Sequence, residues 1–231
     1  MNHQLLMAIQ YRFDSPRSRF TVQAFATGLL AAFAHSPTFA VRDFAGGIRF
    51  PDGQVENLEL DLIIPAEALE LLDRVPAADR RDIEGRMRTE VLEPARYPEI
   101  RFQSSEVRAT PTSPDRYQLR LGGRLSLHGV TLPHQIVAEL LVFSDGLRLR
   151  GEDSLRMSDY RIRPVTALGG AIKLRDDLHL NGWRLRQSIE AELARHDIKE
   201  EEVAQQRAEE HQGIAADFAS ATQGHSPLFG S

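Results

Sequence analysis

The chain has 231 residues, with 28 Lys and Arg against 33 Asp and Glu, a net charge of −5 and no cysteine. The missing thiols exclude disulfides, a thiolate nucleophile and a cysteine-held zinc. Of the net charge, −4 falls between Arg184 and Ser231, so the rest of the chain is almost neutral and lacks the basic field that a phosphate backbone requires; no nucleic-acid partner is expected.

The first thirteen residues hold only the short apolar run Leu5 to Ile9, with no Lys or Arg before it, and do not read as an export signal. No stretch approaches the ~20 apolar residues of a membrane span. A soluble, cytoplasmic protein is the expectation. Strand-like runs follow at Tyr11 to Asp14, Arg19 to Ala26, Thr38 to Phe50 and Val55 to Ile64. Turn formers such as Pro51-Asp52-Gly53 separate them. A helical insertion is expected to open at Pro65, since proline suits a first helical position where its missing N–H would be unpaired anyway. A second helix follows Pro76, with Ile83, Met87 and Val91 recurring every four residues until Pro94 stops it.

Strands resume at Ile100 to Ala109, Tyr117 to His128, Gln135 to Phe143, Leu147 to Met157 and Ala171 to Leu180. The clearest is Tyr117 to His128. There Tyr117, Leu119, Leu121, Leu125 and Leu127 alternate with Gln118, Arg120, Arg124, Ser126 and His128, the period of an antiparallel strand with one dry face. Many short strands joined by turns predict a mainly β chain, a barrel or sandwich. After Trp183 the period lengthens toward 3.6, with Leu185, Ile189 and Leu193 on one face. Asp197 with Glu200 resembles a capping box, and the small polar residues from Gly213 to Ser231 read as disordered. The chain thus divides into a β domain over 1–183 and an acidic helical extension with a disordered end over 184–231.

Catalytic signals are few. His128 and His134 flank the stretch Gly129 to Pro133 with a spacing that fits no zinc signature, and they read as turn and surface residues. Glu152 and Asp153, like Asp176 and Asp177, are sequence neighbours, so on a strand their side chains diverge and read as solvated carboxylates. No nucleophile elbow, phosphate-cradling loop or dinucleotide fingerprint appears. No catalytic residue, metal or cofactor is assigned, and the expectation is a protein that is not an enzyme.

Several motifs occur together: G-L-L-A-A-F-A-H-S from Gly28, F-A-V-R-D-F-A-G-G-I-R-F from Phe39, V-L-E-P-A-R-Y-P-E-I-R-F-Q-S from Val91, G-R-L-S-L-H-G-V-T-L-P from Gly123 and G-G-A-I-K-L-R-D-D from Gly169. In this order, over roughly Tyr11 to Leu180, they resemble the YceI-like family. The resemblance implies an antiparallel, lipocalin-like β-barrel that binds, carries or sequesters a polyisoprenoid or quinone-like lipid. The cavity wall would then be the apolar phases of the strands: Phe20, Val22, Phe39, Val41, Leu58, Leu60, Leu62, Ile100, Phe102, Leu119, Leu121, Ile136 and Leu140. A barrel of eight strands either fills with its own side chains or holds one small ligand, so the same residues would equally be buried as plain core. Arg101, His128 and Arg148 are candidates for a polar head, or for the solvated outer face. The competing reading is an interaction module. In it a filled barrel serves as scaffold, and the helices after Trp183 engage a partner or a second copy as a homodimer.

Overall fold

The computed structural model describes residues 8–28, 36–51, 54–144, 146–167 and 171–188. Three pairs of short strands come first: β1 (Ala8–Phe13) and β2 (Arg19–Thr27), β3 (Thr38–Val41) and β4 (Ala45–Pro51), then β5 (Glu59–Pro65) and β6 (Leu69–Leu71). Each pair is one bent strand. Between β1 and β2 the bend is a turn at Ser15–Arg17, which Asp14 caps by accepting from the Arg17 N–H at 3.1 Å. Four long strands follow as hairpins: β7 (Glu99–Ser113), β8 (Arg116–Leu127), β9 (Val130–Phe143) and β10 (Gly146–Arg156). A short β11 (Thr166–Ala167) and a long β12 (Ile172–Ser188) complete the set.

All pairings are antiparallel and run in the order β1-β4-β5-β7-β8-β9-β10-β12-β2-β3-β6, with β11 on β12. Because β12 meets β10 along one edge and both β2 and the end of β1 along the other, the sheet curls back toward its first strand. The result is a barrel-like wall whose concave side holds the core. The period-two reading of β8 holds: Leu119 and Leu121 are fully buried, while Gln118 and Arg120 face solvent. On β9 the inward phase is even-numbered, with Ala138 and Leu140 buried between exposed or half-buried neighbours.

The single α-helix among the described residues, α1 (Ala77–Arg86), starts after Pro76 as the sequence predicts. A π-helical stretch, Met87–Leu92, prolongs it, and Glu93 ends it in the left-handed region with its N–H bonded to the Arg88 carbonyl at 3.0 Å. Met87 and Leu92 are buried, and Ile83 and Val91 pack against the core, so the four-residue stripe is the face turned to the sheet.

Two expectations need correction. The helix expected to open at Pro65 is only a single turn, Ala66–Ala68, after which the chain returns to strand as β6. The cause is the period of Leu69, Glu70 and Leu71: the two leucines are buried and Glu70 is exposed, an alternation that β3 satisfies by pairing. The segment from Arg184 to Ser188, expected to begin a helix, is the end of β12, held by backbone pairing to β10 at Leu149↔Leu185 and Arg150↔Arg184. Pairing along an available strand edge outweighs a short helical period. The stripe residues Ile189 and Leu193 and the Asp197 cap lie outside the described residues.

Candidate ligand cavity and the polar groups beside it

Between α1 and one flank of the sheet lies a cavity of about 320 Å³. Its wall is apolar: Val22 and Ala24 of β2, Phe39 of β3, Leu69 of β6, Leu174 and Leu178 of β12, with Ile83, Met87 and Val91 closing it from the helix side. Met157 and Val165, from the loop between β10 and β11, complete it. Its polar lining comes from α1: Asp79, Asp82 and Arg86. Arg86 donates to both carboxylate oxygens of Asp82 at 3.2 Å and to the Thr166 carbonyl at 3.1 Å, which ties the helix to β11. The volume lies at the lower end of the ~300–1,000 Å³ typical of small-molecule sites, and an apolar wall with a few polar groups is their usual make-up.

Of the thirteen residues singled out from the sequence, Val22 and Phe39 line this cavity. Phe20, Val41, Leu58, Leu60, Phe102, Leu119, Leu121 and Leu140 are buried in the core, and Leu62, Ile100 and Ile136 are half-buried against it. The cavity therefore gathers side chains from both ends of the chain, including α1 residues that belong to no strand face. The α1 stripe was legible as apolar, but its facing β2 and β12 across a gap depends on long-range packing.

The polar residues are placed more informatively than the sequence suggests. Arg101 donates two hydrogen bonds to Asp61, each 3.0 Å, across the β5–β7 pair, and these bonds followed by the Asp61 charge raise its pKa. Arg148 stacks over the Phe143 ring at 5.2 Å. Neither borders the cavity. His128, at the β8–β9 turn, faces an oxygen with each ring nitrogen: Nε2 lies 2.7 Å from a Glu93 carboxylate oxygen and Nδ1 lies 3.3 Å from the Tyr160 carbonyl. It thereby fastens the helix end and the turn after β10 to one hairpin.

His134 and Asp153 were read as surface groups. They form a half-buried pair, Nε2 to Oδ2 at 2.6 Å. The available signal was phase: His134 falls on the same side of β9 as Ile136, Ala138 and Leu140. Its partner, nineteen residues away, could not be read from the sequence. Asp176 likewise accepts from the Ser158 N–H at 2.8 Å and from the Ser158 hydroxyl. Among the described residues, no three His, Asp or Glu side chains converge as a metal site would need. None of the helices there is long and apolar enough to cross a membrane.

Comparison with known proteins fits this architecture. The model of the YceI-like domain matches residues 11–181. Among solved structures, BcnA of Burkholderia cenocepacia superposes with a TM-score of 0.58 at 12% identity, covering 75% of this chain and 98% of its own. A polyisoprenoid binding domain from Saccharophagus degradans, described as implicated in plant cell wall breakdown, gives 0.55 at 14% identity, covering 77% and 97%. The YCEI protein of Campylobacter jejuni gives 0.50 at 14% identity, covering 65% and 83%. At these identities the likeness is one of fold. Among curated proteins none matches the sequence.

Proposed function

The chain belongs to the YceI-like family, and we propose that it binds an isoprenoid or related amphiphilic lipid in the cavity beneath α1, without chemistry on the ligand. The observation that carries this reading is the cavity itself, a half-open, largely apolar space of about 320 Å³ between α1 and the facing strands. Dense packing is the rule for protein interiors, so a gap of this size with an apolar wall suits an apolar guest. The Saccharophagus relative, a polyisoprenoid binding domain, adds support at the level of the family.

Area supplies the affinity. Each buried CH₂ contributes about 0.8 kcal/mol, so a few isoprene units suffice without many hydrogen bonds. Val22 and Phe39 would touch the chain directly. The other eleven strand residues named from the sequence form the packed lipocalin-like wall behind it, and a longer ligand would have to part them. Carriage or sequestration then follows from burial, because a lipid held between α1 and the sheet is shielded from water on both of those sides.

The test is extraction of the purified full chain with organic solvent, followed by mass spectrometry, before and after incubation with prenyl lipids. A prenyl species recovered in proportion to protein is the expected result. Extracts that stay empty after every lipid offered would refute the proposal.

A further inference from the structure

We propose that the outer face of β8, β9 and β10 docks on a bilayer surface that carries anionic headgroups. None of the residues that form it lines the cavity beneath α1, and the proposal does not depend on what that cavity holds.

The sequence up to Trp183 is nearly neutral, yet its charges are not evenly spread. Antiparallel register sets the layout. Arg116 stands opposite Leu141 and Leu141 opposite Arg148; Gln118 stands opposite Glu139 and Glu139 opposite Arg150; Arg120 stands opposite Val137. Residues opposite one another share a side of the sheet, and this is the side away from the buried Leu119, Leu121 and Leu140. The outward positions within 116–120, 137–143 and 146–150 thus hold four arginines and one carboxylate, Glu139. Glu139 is itself engaged by Arg116 at 3.2 Å and by Arg150. Among the described residues Arg148 has only its stacking on the Phe143 ring, and Arg120 has no hydrogen-bond or ion-pair partner. Arg108, beside Arg120 on β7, is paired with Glu106 and adds no net charge.

Between the arginines of β8 and those of β10 runs an apolar row on β9. Val137 and Phe143 are 44% and 42% exposed, two of the three large apolar side chains that are exposed among the described residues, and Leu141 between them is half-buried. Exposed apolar side chains rimmed by cations are the make-up of an interfacial contact, in which guanidinium groups meet lipid phosphates and the apolar side chains enter the acyl boundary.

Other occupants fit less well. A second copy presenting the same face would set arginine against arginine. A nucleic acid would find partners for its phosphates but no platform for its bases, because Val137 and Leu141 are aliphatic and Arg148 covers a face of the Phe143 ring.

The experiment is co-sedimentation of the full chain with sucrose-loaded vesicles, one set of phosphatidylcholine alone and one with an equal part of phosphatidylglycerol, neither containing prenyl lipid. Binding to the anionic set is expected, roughly tenfold or more above the neutral set and weakening between about 0.1 and 0.5 M salt. Each arginine near such a surface contributes about fivefold, so the double variant Arg120→Gln, Arg148→Gln should bind about 25-fold more weakly. Neither side chain holds an ion pair, so the unfolding midpoint of that variant should match the native one. Phe143→Ser, which keeps every charge, should bind several-fold more weakly and keep the salt dependence. No binding, equal binding to the two vesicle sets, or a double variant that binds as the native chain does overturns the docking surface and leaves the cavity reading standing. Displacement from the anionic vesicles by a single-stranded oligonucleotide at equal phosphate concentration overturns it in favour of a nucleic acid.

Discussion

The ring of Tyr97 occupies the space that a side chain on Gly129 would need: a Cβ there would stand 2.5 Å from Tyr97 Cε1. The same ring lies 4.3 Å, centroid to centroid, from His128. His128 and Gly129 both have positive φ, 50° and 73°, the geometry of a tight hairpin turn whose twist matches its strands. The Tyr97-Pro98-Glu99-Ile100 and Leu127-His128-Gly129-Val130 segments are thus two sides of one contact.

Gly129→Ala combines a left-handed backbone, which costs about 1–2 kcal/mol for a residue with a Cβ, with a collision against Tyr97. A loss of about 2 kcal/mol or more is expected from the urea unfolding midpoint. An effect smaller than half of that would mean Tyr97 moves aside freely.

His128→Asn isolates the side-chain bonds, because asparagine tolerates positive φ better than most residues. Losing the contacts to Glu93 and to the Tyr160 carbonyl should cost about 1–3 kcal/mol. In hydrogen exchange, the amides around Glu93 and Tyr160 should lose protection together, since one side chain fastens both.

Neighbouring glycines on β8 predict opposite outcomes. At Gly123 a Cβ would run into the Gln103 carbonyl and sit 2.7 Å from Phe102 Cζ, whereas at Gly122 the nearest atom is the Glu106 Cβ at 3.6 Å. Gly123→Ala should therefore disrupt the β7–β8 pairing and destabilise by about 1–3 kcal/mol. Gly122→Ala should be within about 0.5 kcal/mol of the native chain. Comparable midpoints for the two variants would contradict this placement.

Burial pushes the Tyr160 phenol above its ordinary value, and the charges of Asp159 and Asp153 push it further. A group whose folded pKa is raised contributes stability that is complete below the unfolded value, near 10, and lost as pH rises through the folded value. Unfolding free energy should therefore fall between about pH 10 and 12 more steeply in the native chain than in Tyr160→Phe. Parallel curves for the two proteins would show that the phenol does not couple to folding.

Ala24 is buried and borders the cavity, so Ala24→Leu places new methyl groups into open space. Bound lipid should fall several-fold while the unfolding midpoint stays within about 1.5 kcal/mol of native stability. Lipid retained in full would move the binding place elsewhere.

The apolar alternation of β8 and the α1 stripe are local signals, each spanning a few residues, and each is realised in the structure. Where a local signal was ambiguous the reading failed. Pro65 opens a helix as readily as it ends a strand, and Leu69, Glu70 and Leu71 joined the sheet because β3 offered an edge. The short 3.6 period from Leu185 yielded in the same way to pairing with β10.

By itself, then, the sequence determined the class of fold, the family and the set of side chains that must leave water, because periodicity and turn chemistry act between near neighbours. Tertiary structure alone decided which of those side chains would surround a cavity rather than fill a core: α1 meets β2 and β12 more than fifty residues away on one side and about ninety on the other. It also decided that His134 and Asp153 would share a proton-donating contact inside the wall. Both outcomes depend on curvature of the whole sheet, and no residue carries that curvature in its neighbours.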